Sequence, residues 1–216
     1  MCGRFFVEGE SENELLGRMI AEAERRRQAI AGDGTIARGE VFPGDTLAAM
    51  AVGKSGAVGV FPMQWGFHLA PGGRLLINTR SETAMEKPLF KLSMLERRCL
   101  IPCSWYYEWE SASSLQVQKE DPPGKKKPKG PTKTKYAIRS KAPGILYLAG
   151  IYRYEEALKL PVFSILTREP SPDIAFIHDR MPVVFSEQTQ GAWLDRSADP
   201  RAALALCETQ MVYRAA

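Results

Sequence analysis

The chain has 216 residues, of which 44% are hydrophobic and 25% are charged, and this is the composition of an ordinary globular protein. It contains no run of about 18 apolar residues and no basic-then-apolar leader, so we expect a cytoplasmic protein without membrane contacts. Without an export signal, the four cysteines predict reduced thiols. Four cysteines and two histidines do not complete a metal ligand set, and we expect neither a metal nor an organic cofactor.

The first predicted element is a helix over residues 11–30, SENELLGRMIAEAERRRQAI. Ser11 is the predicted N-cap and Glu14 the acidic residue three positions later, as in a capping box. Apolar residues recur at helical spacing at Leu15, Met19, Ile20 and Ala23. These features predict an amphipathic helix near the N-terminus.

Seven later segments are rich in β-branched and aromatic residues and are separated by Gly and Pro. They are TLAAMAV, AVGVFPMQWGF, LLINTR, CLIPCSWYYEW, KYAIRS, GILYLAGIYRY and PVFSILTRE. Further helices are expected near residues 87–95, 186–194 and 199–207. The pattern predicts an α+β, sheet-rich single domain over residues 1–216, with curled antiparallel or mixed strands forming a pseudo-barrel and a few peripheral helices.

A segment at about residues 111–135 differs from the rest in being dense in Lys, Pro, Gly and Ser. Seven lysines face two acidic residues between positions 119 and 135, which leaves the remainder of the chain close to neutral. Such a composition cannot bury enough apolar surface to order itself, so we predict a flexible loop. Contact with nucleic-acid phosphates and simple solubility are equally supported roles for it.

Cys2 has unusual chemistry once Met1 is removed, because an amine and a thiol then lie on adjacent carbons. The amine condenses with an aldehyde to an imine, and the thiolate adds to the same carbon to close a thiazolidine ring. At their ordinary pKa values both groups are only partly activated near neutral pH, so a nearby acid/base group is needed. A chance cysteine is the alternative when this residue is considered by itself.

Glu108 is the first candidate acid/base group, since it lies within the aromatic run SWYYEW. Strand alternation puts Tyr106 and Glu108 on one face, opposite Trp105, Tyr107 and Trp109. A carboxyl group among aromatic rings has a raised pKa through desolvation, which suits proton transfer near neutrality. An ordinary solvated strand glutamate is the alternative.

His178 and Asn78 are the other candidates. His178 lies in IHDRMPVVF, at a predicted entrance to a strand, where functional groups tend to cluster. In INTRSET, alternation puts Asn78, Arg80 and Glu82 on one face of an extended segment, where they could bind a phosphate or orient a reacting group. A structural histidine and a polar outer sheet face are the alternatives.

Several motifs together resemble the SOS response-associated peptidase-like (SRAP) family. They are MCGRF, VFPGD at 41–45, QWGF at 64–67, INTRSET at 77–83, RRCLIPCSWYYEW at 97–109 and IHDRMPVVF at 177–185. The resemblance implies a DNA-damage-response protein that cross-links covalently to abasic sites in single-stranded DNA and shields them, with lyase-like and self-processing peptidase activity. It implies Cys2 as nucleophile, Glu108 and His178 as acid/base groups, and Asn78 as the residue that positions the amine or the sugar.

The resemblance also implies residues that contact DNA. Arg4, Arg80 and Arg180 match positions expected at the DNA backbone, and Pro43 matches a turn proline. Trp65 and Trp109 match stacking surfaces for flanking bases, with a place in the core as the alternative. The chain departs from the family in having Glu40, where members commonly have an asparagine, and a carboxylate there is expected to weaken DNA affinity.

Two other functions stay open from the sequence. One is a cysteine peptidase or amidase in which Cys2 attacks an amide carbonyl and His178 is the base. The other is a non-covalent single-stranded DNA-binding module that does not use Cys2. For the preferred interpretation we expect a monomer in the cytoplasm, associated with the nucleoid during DNA damage.

Overall fold

The structure is a computed structural model that describes residues 2–32, 34–70, 72–110 and 133–216. The greater part of the predicted flexible loop, residues 111–132, lies outside the described residues. Within the described ranges, no helix combines the length and apolar character needed to span a membrane.

The first sheet has five antiparallel strands. Their bounds are β1 Phe5–Val7, β2 Gly39–Val41, β9 Trp105–Trp109, β10 Lys135–Ser140 and β15 Met211–Ala215. They lie in the order β15-β10-β9-β1-β2, so the N-terminal strand is inside the sheet, between β2 and β9. This places Cys2 only three residues before a strand that is paired on both sides.

The second sheet contains five long strands that close into a ring. They are β3 Thr46–Val52, β4 Val58–Trp65, β8 Arg98–Cys103, β11 Leu146–Glu155 and β12 Leu160–Arg168. The ring closes because β12 pairs with both β4 and β11. Short strands extend it: β7 Asn78–Arg80 and β13 Met181–Pro182 pair with β12, and β14 Val184–Phe185 pairs with β11. A separate hairpin joins β5 Phe67–His68 to β6 Leu75–Leu76.

Few helices surround the sheets. They are α1 Glu14–Ala31, α2 Ser81–Ala84, α3 Pro88–Glu96 and two short helices over Gln190–Leu194 and Pro200–Leu204, with a 3₁₀ turn over Pro172–Ile174. The predicted cap of α1 was wrong: Asn13, not Ser11, is the N-cap, and its side chain accepts a hydrogen bond from the Leu16 N–H at 3.1 Å. A turn closed by Asn13 N–H on the Gly9 carbonyl keeps Ser11 outside the helix.

One hydrophobic cluster joins the inner faces of both sheets to α1 and the C-terminal helices. Its largest fully buried rings include Trp65, Trp193 and Tyr106, which come from different parts of the chain. Burial of such rings is the main stabilising contribution in a core of this size. The expected α+β, sheet-rich pseudo-barrel with few helices is confirmed.

Candidate functional site

Cys2 is completely buried in the interior. Its Sγ lies 4.0 Å from the carbonyl oxygen of Arg4. Burial raises the pKa of the Cys2 thiol far above its usual range, and the nearby Glu108 carboxylate raises it further. The thiol is therefore neutral at pH 7, and it can act as a nucleophile only if a neighbouring base takes its proton.

Asn78 reaches Cys2 from the second sheet. Strand β7 carries it alongside β12, in parallel register with Ile165. Its side-chain Nδ2 donates a hydrogen bond of 2.8 Å to the carbonyl oxygen of Cys2. Its Oδ1 is buried and has no hydrogen-bond partner among the described residues. The Asn78 Nδ2 thus holds the backbone of Cys2, and Oδ1 can accept a hydrogen bond from another group.

Glu108 lies in the middle of β9, directly opposite Tyr136 of β10. Only 4% of the residue is exposed. Burial raises the pKa of the Glu108 carboxyl to about 7, and the charge of Asp179 adds to the rise. At neutral pH the carboxyl group is therefore divided between its acid and base forms, which suits a group that both donates and accepts protons.

Tyr106 is a member of this cluster to which the sequence patterns assign no role. It is completely buried, and its pKa is raised well above the usual value by burial and then by the charges of Cys2 and Glu108. Its hydroxyl has no hydrogen-bond partner in the described part of the chain. The signal was present in the sequence, because alternation puts Tyr106 on the same strand face as Glu108.

His178 follows the 3₁₀ turn after β12 and is one-quarter exposed at its side chain. Burial is the main reason that its pKa is lowered, so the imidazole is neutral at pH 7. Its Nδ1 accepts a hydrogen bond from the Arg180 N–H at 3.0 Å and also lies 2.7 Å from Asp179 Oδ1. A neutral Nδ1 cannot donate to the carboxylate while it accepts from the amide. We therefore place the ring proton on Nε2.

Arg180 and Arg80 have different environments. Arg180 donates two hydrogen bonds of 2.8 Å to the Glu82 carboxylate and one of 2.7 Å to the Thr167 carbonyl, and its side chain is only 11% exposed. Arg80 is exposed at the end of β7. The expected extended face of Asn78, Arg80 and Glu82 was wrong at its last member, because α2 begins at Ser81 and turns Glu82 toward Arg180.

Arg4 belongs to a charged and aromatic cluster beside the site. Its guanidinium lies 4.5 Å from the ring centre of Phe42 and 5.0 Å from that of Trp109, at cation–π distance. Glu40 accepts from Arg4 at 3.3 Å and from Lys135 at 2.6 Å. These two partners, with the Lys135 hydrogen bond as the largest cause, lower the pKa of Glu40, so it is charged at neutral pH.

Pro43 is exposed in the turn that follows Glu40, and the turn holds Phe42 beside Arg4. Asp45 N–H donates to the Phe42 carbonyl at 3.1 Å, and Gly44 has φ of 94°. Proline at the second position and a positive φ at the third are the features of a type II turn, which explains the sequence FPGD.

Trp65 does not fit its expected DNA-stacking role. It is completely buried, its ring centre is 4.9 Å from that of Phe5, and its Nε1 donates to the Ile77 carbonyl at 3.1 Å. The indole therefore belongs to the core, and its N–H is satisfied by the segment that leads into β7. Trp109, in contrast, is only partly buried and lies beside Arg4.

Comparison with protein families gives one match over nearly the whole chain: the model of the SOS response associated peptidase (SRAP) family matches residues 1–214. A Bacillus subtilis protein named abasic site processing protein YoqW is 32% identical over 132 residues, which are 59% of this chain and 52% of that protein. Abasic site processing protein HMCES of Gallus gallus is 29% identical over 130 residues, 57% of this chain and 39% of that protein. The chain thus spans about half the length of the Bacillus relative and less of the avian one.

Solved structures share the fold. A crystal structure of a protein from Bacteroides thetaiotaomicron has a TM-score of 0.71 at 17% identity and covers 99% of this chain and 91% of its own. A phage-related protein from Bordetella bronchiseptica has a TM-score of 0.66 at 21% identity, with 100% and 94% covered. At these identities the likeness supports the architecture alone.

Proposed function

The chain belongs to the SOS response associated peptidase (SRAP) family, and from that membership we propose that it captures abasic sites in single-stranded DNA through a covalent thiazolidine at Cys2. The observation that carries the proposal is the arrangement around this residue. Its carbonyl is held by Asn78, and its buried thiol lies within electrostatic range of a Glu108 carboxyl whose pKa is about 7. The names of the curated relatives, abasic site processing proteins, support the same substrate.

The chemistry begins with hydrolysis of the Met1–Cys2 peptide bond, by the protein itself or by an aminopeptidase, which converts an amide nitrogen into an amine. The amine attacks C1′ of the ring-opened sugar, and loss of water gives an imine. The Cys2 sulfur then adds to the imine carbon while its proton leaves, and the nitrogen gains a proton. One aldehyde and one aminothiol thus give one thiazolidine and one water.

The surrounding residues supply the proton transfers. Glu108 in its acid form protonates the departing hydroxyl, and the carboxylate that remains takes the proton of the thiol, whose own pKa is too high for spontaneous ionisation. Neutral His178, with its proton on Nε2, assists opening of the sugar ring. Asn78 Oδ1, the acceptor without a partner in the described residues, receives a hydrogen bond from the new amine or a sugar hydroxyl.

The proposal is tested with the mature protein and single-stranded oligonucleotides. One carries an abasic site, and a matched control carries a tetrahydrofuran analogue that cannot open to an aldehyde. We expect a band of retarded mobility on a denaturing gel with the first oligonucleotide alone. Equal adduct with both, or adduct with neither, would contradict the proposal. Mass spectrometry of the adduct should show loss of Met1 and of one water.

A cysteine peptidase acting on other proteins is less well supported. The curated relatives are named for abasic sites and not for protein substrates. His178 also uses Nδ1 to accept from a backbone amide. We therefore restrict peptidase chemistry in this proposal to removal of Met1.

Glu40→Gln should increase affinity for single-stranded DNA by about 2- to 5-fold at low salt, the effect of removing one partly exposed ion-pair partner. The reason is that Glu40 occupies Arg4 and Lys135, two cations that could otherwise bind phosphates. Fluorescence anisotropy with an undamaged oligonucleotide measures the change. Glu14→Gln removes an equal charge from the ion pair with Arg18 on α1 and is the control. Equal affinities of the two variants would show that Glu40 does not compete with DNA.

A further inference from the structure

The outward face of the five-stranded sheet carries aromatic and basic side chains together. Partners in an antiparallel pair point to the same side, as do alternate residues of one strand. The register pairs Phe6 with Trp105, Lys135 with Trp109, and Ala137 with both Tyr107 and Arg214. We call this surface the cation–aromatic face, formed by Arg4, Phe6, Trp105, Tyr107, Trp109, Lys135, Arg139 and Arg214.

Within the cation–aromatic face, cationic groups lie over aromatic rings. Phe6 and Trp105 stack with ring centres 4.5 Å apart and planes within 6°. The Arg214 guanidinium lies 5.4 Å from the Trp105 ring centre, and Lys135 Nζ lies 3.7 Å from that of Tyr107. Flat rings beside cations are the elements with which proteins bind single-stranded nucleic acid without base-edge readout.

One end of the face opens into a cavity of about 430 Å³. Its wall includes Glu8, Trp105, Ala137, Arg139, Val212 and Arg214. The Trp105 Nε1 is a buried donor without a hydrogen-bond partner among the described residues. The cavity thus offers a ring face and two guanidinium groups to a ligand that is both flat and anionic.

The charges on the face favour a polyanion. Glu40 is occupied by Arg4 and Lys135, which leaves Glu8 opposite the two arginines at the cavity. Arg139 and Arg214 are both exposed, and in the described part of the chain neither has an ion-pair partner. Two guanidinium groups outnumber the Glu8 carboxylate in the cavity wall, and beside an aromatic ring they match the phosphate and base of a nucleotide.

The face is also continuous with the proposed capture site. Arg4 lies two residues after Cys2 and contacts Trp109, and Trp105 is four residues from Trp109 along the same strand. That distance is about 14 Å at the rise of an antiparallel strand, enough for about four stacked nucleotides. Because Glu108 points to the opposite side of β9 from Trp105 and Trp109, a strand held at Cys2 reaches the cavity by passing Arg4 at the end of the sheet.

We propose that the cation–aromatic face is a second binding surface, which holds the single-stranded DNA that flanks the captured nucleotide. Phosphates bind Arg139 and Arg214, and a base takes the place over the Trp105 ring that the Arg214 guanidinium occupies in the free protein. This rests on the proposed function for the identity of the ligand. In this proposal the end of the sheet near Trp105 binds undamaged flanking nucleotides and does not bind the abasic nucleotide.

The test measures binding of undamaged single-stranded oligonucleotides of about 4 and about 16 nucleotides, the range of site sizes of single-strand binding domains. The variant is Arg139→Ala/Arg214→Ala. The matched control is Arg18→Ala/Arg201→Ala, which removes the same charge from exposed positions on two helices. We expect the first variant to lose about tenfold affinity for the long oligonucleotide and about 1.4 units of its salt slope, at about 0.7 for each phosphate contact. The short oligonucleotide, whose length matches that of the face, should lose affinity by a similar factor.

Two further arms identify the ligand. A 2-aminopurine base in the long oligonucleotide should be quenched on binding the wild type and not on binding Trp105→Leu. Poly-glutamate of equal charge should not displace the long oligonucleotide at equal concentration. Affinity and slope equal to those of the control, unchanged affinity for the short oligonucleotide, unchanged quenching in Trp105→Leu, or displacement by poly-glutamate would each overturn the proposal.

The outcome is separable from that of the capture reaction. Binding of undamaged DNA does not involve the aldehyde chemistry of Cys2. A protein that gives no adduct with abasic DNA but shows the expected loss in Arg139→Ala/Arg214→Ala would remove the proposed function and keep the surface. A protein that gives adduct and shows no difference between the arginine variants would do the opposite.

Discussion

Glu108→Gln should slow adduct formation by about 10²- to 10⁴-fold, the usual contribution of a positioned general acid/base group. The amide has nearly the same shape as the carboxyl group but cannot exchange a proton with the departing hydroxyl or with the thiol. Single-turnover kinetics on an abasic oligonucleotide measure the rate. Glu110→Gln, at a partly exposed position directly after the end of β9, is the control and should leave the rate unchanged.

The same substitution should make the protein more stable in alkaline solution. The pKa of Glu108 is raised from 4.5 to about 7 in the folded state, so the folded protein holds this proton more tightly than the unfolded chain does. Below pH 4.5 the group is protonated in both states. As the pH rises toward 7, the unfolded chain ionises first and the free energy of unfolding falls, by about 3 kcal/mol in total.

Urea unfolding of wild type and Glu108→Gln at pH 4 and pH 8 measures this difference. We expect similar stability at pH 4 and a gain of about 3 kcal/mol for the variant at pH 8, because glutamine removes the buried charge. Equal stability at both pH values would contradict the environment assigned to Glu108. If the variant reacts more slowly and is also more stable, Glu108 contributes to the reaction at a cost to the stability of the folded protein.

Cys2→Ala should abolish the adduct that survives a denaturing gel, while an imine still forms. Removal of Met1 from this variant leaves an N-terminal alanine, whose α-amine can condense with the aldehyde, but no thiol is present to close the ring. The imine hydrolyses on denaturation unless borohydride reduces it. We therefore expect a band with borohydride and no band without it, whereas the wild type gives a band in both cases.

Cys207→Ala is the matched control, because Cys207 is another buried free cysteine that lies near the C-terminus. It should behave as the wild type does. A borohydride-independent adduct from Cys2→Ala would place the nucleophile elsewhere. No adduct even with borohydride, from protein shown by mass spectrometry to lack Met1, would mean that the α-amine does not reach the aldehyde.

The strands were predictable from the sequence because local patterns determine them. β3 and β10 coincide with the segments TLAAMAV and KYAIRS, each bounded by turn residues. The helix cap was not predictable in this way. Ser11 and Asn13 are both good caps, and the hydrogen bond from Asn13 N–H to the Gly9 carbonyl, which decides between them, depends on the turn that precedes the helix.

The site was predictable in part. The order of the motifs indicated Cys2, Asn78 and Glu108, which the structure brings together. Contacts between distant segments were not visible in the sequence: Arg180 reaches back 98 residues to Glu82, and the buried ring of Trp65 donates to the Ile77 carbonyl. Strand alternation puts Tyr106 on the same face as Glu108 but assigns it no role. The pattern of alternation is the same for a strand that faces a hydrophobic core and for one that faces a functional site.

The position of β1 inside the first sheet has a consequence for how the protein is made. The ribosome adds Cys2 at the start of synthesis. The partner strand β9, which carries Glu108 and pairs with β1, is complete only when Trp109 has been added. At about 5 to 20 residues per second, Cys2 is joined to the chain roughly 5 to 20 s before this partner strand is complete. In that interval a cellular aminopeptidase has access to the first peptide bond. Once the sheet has formed, Cys2 is completely buried, and a separate enzyme has less access to the peptide bond before it. Under the proposed function, removal of Met1 by an aminopeptidase is therefore expected early, and later removal depends on the folded protein's own groups.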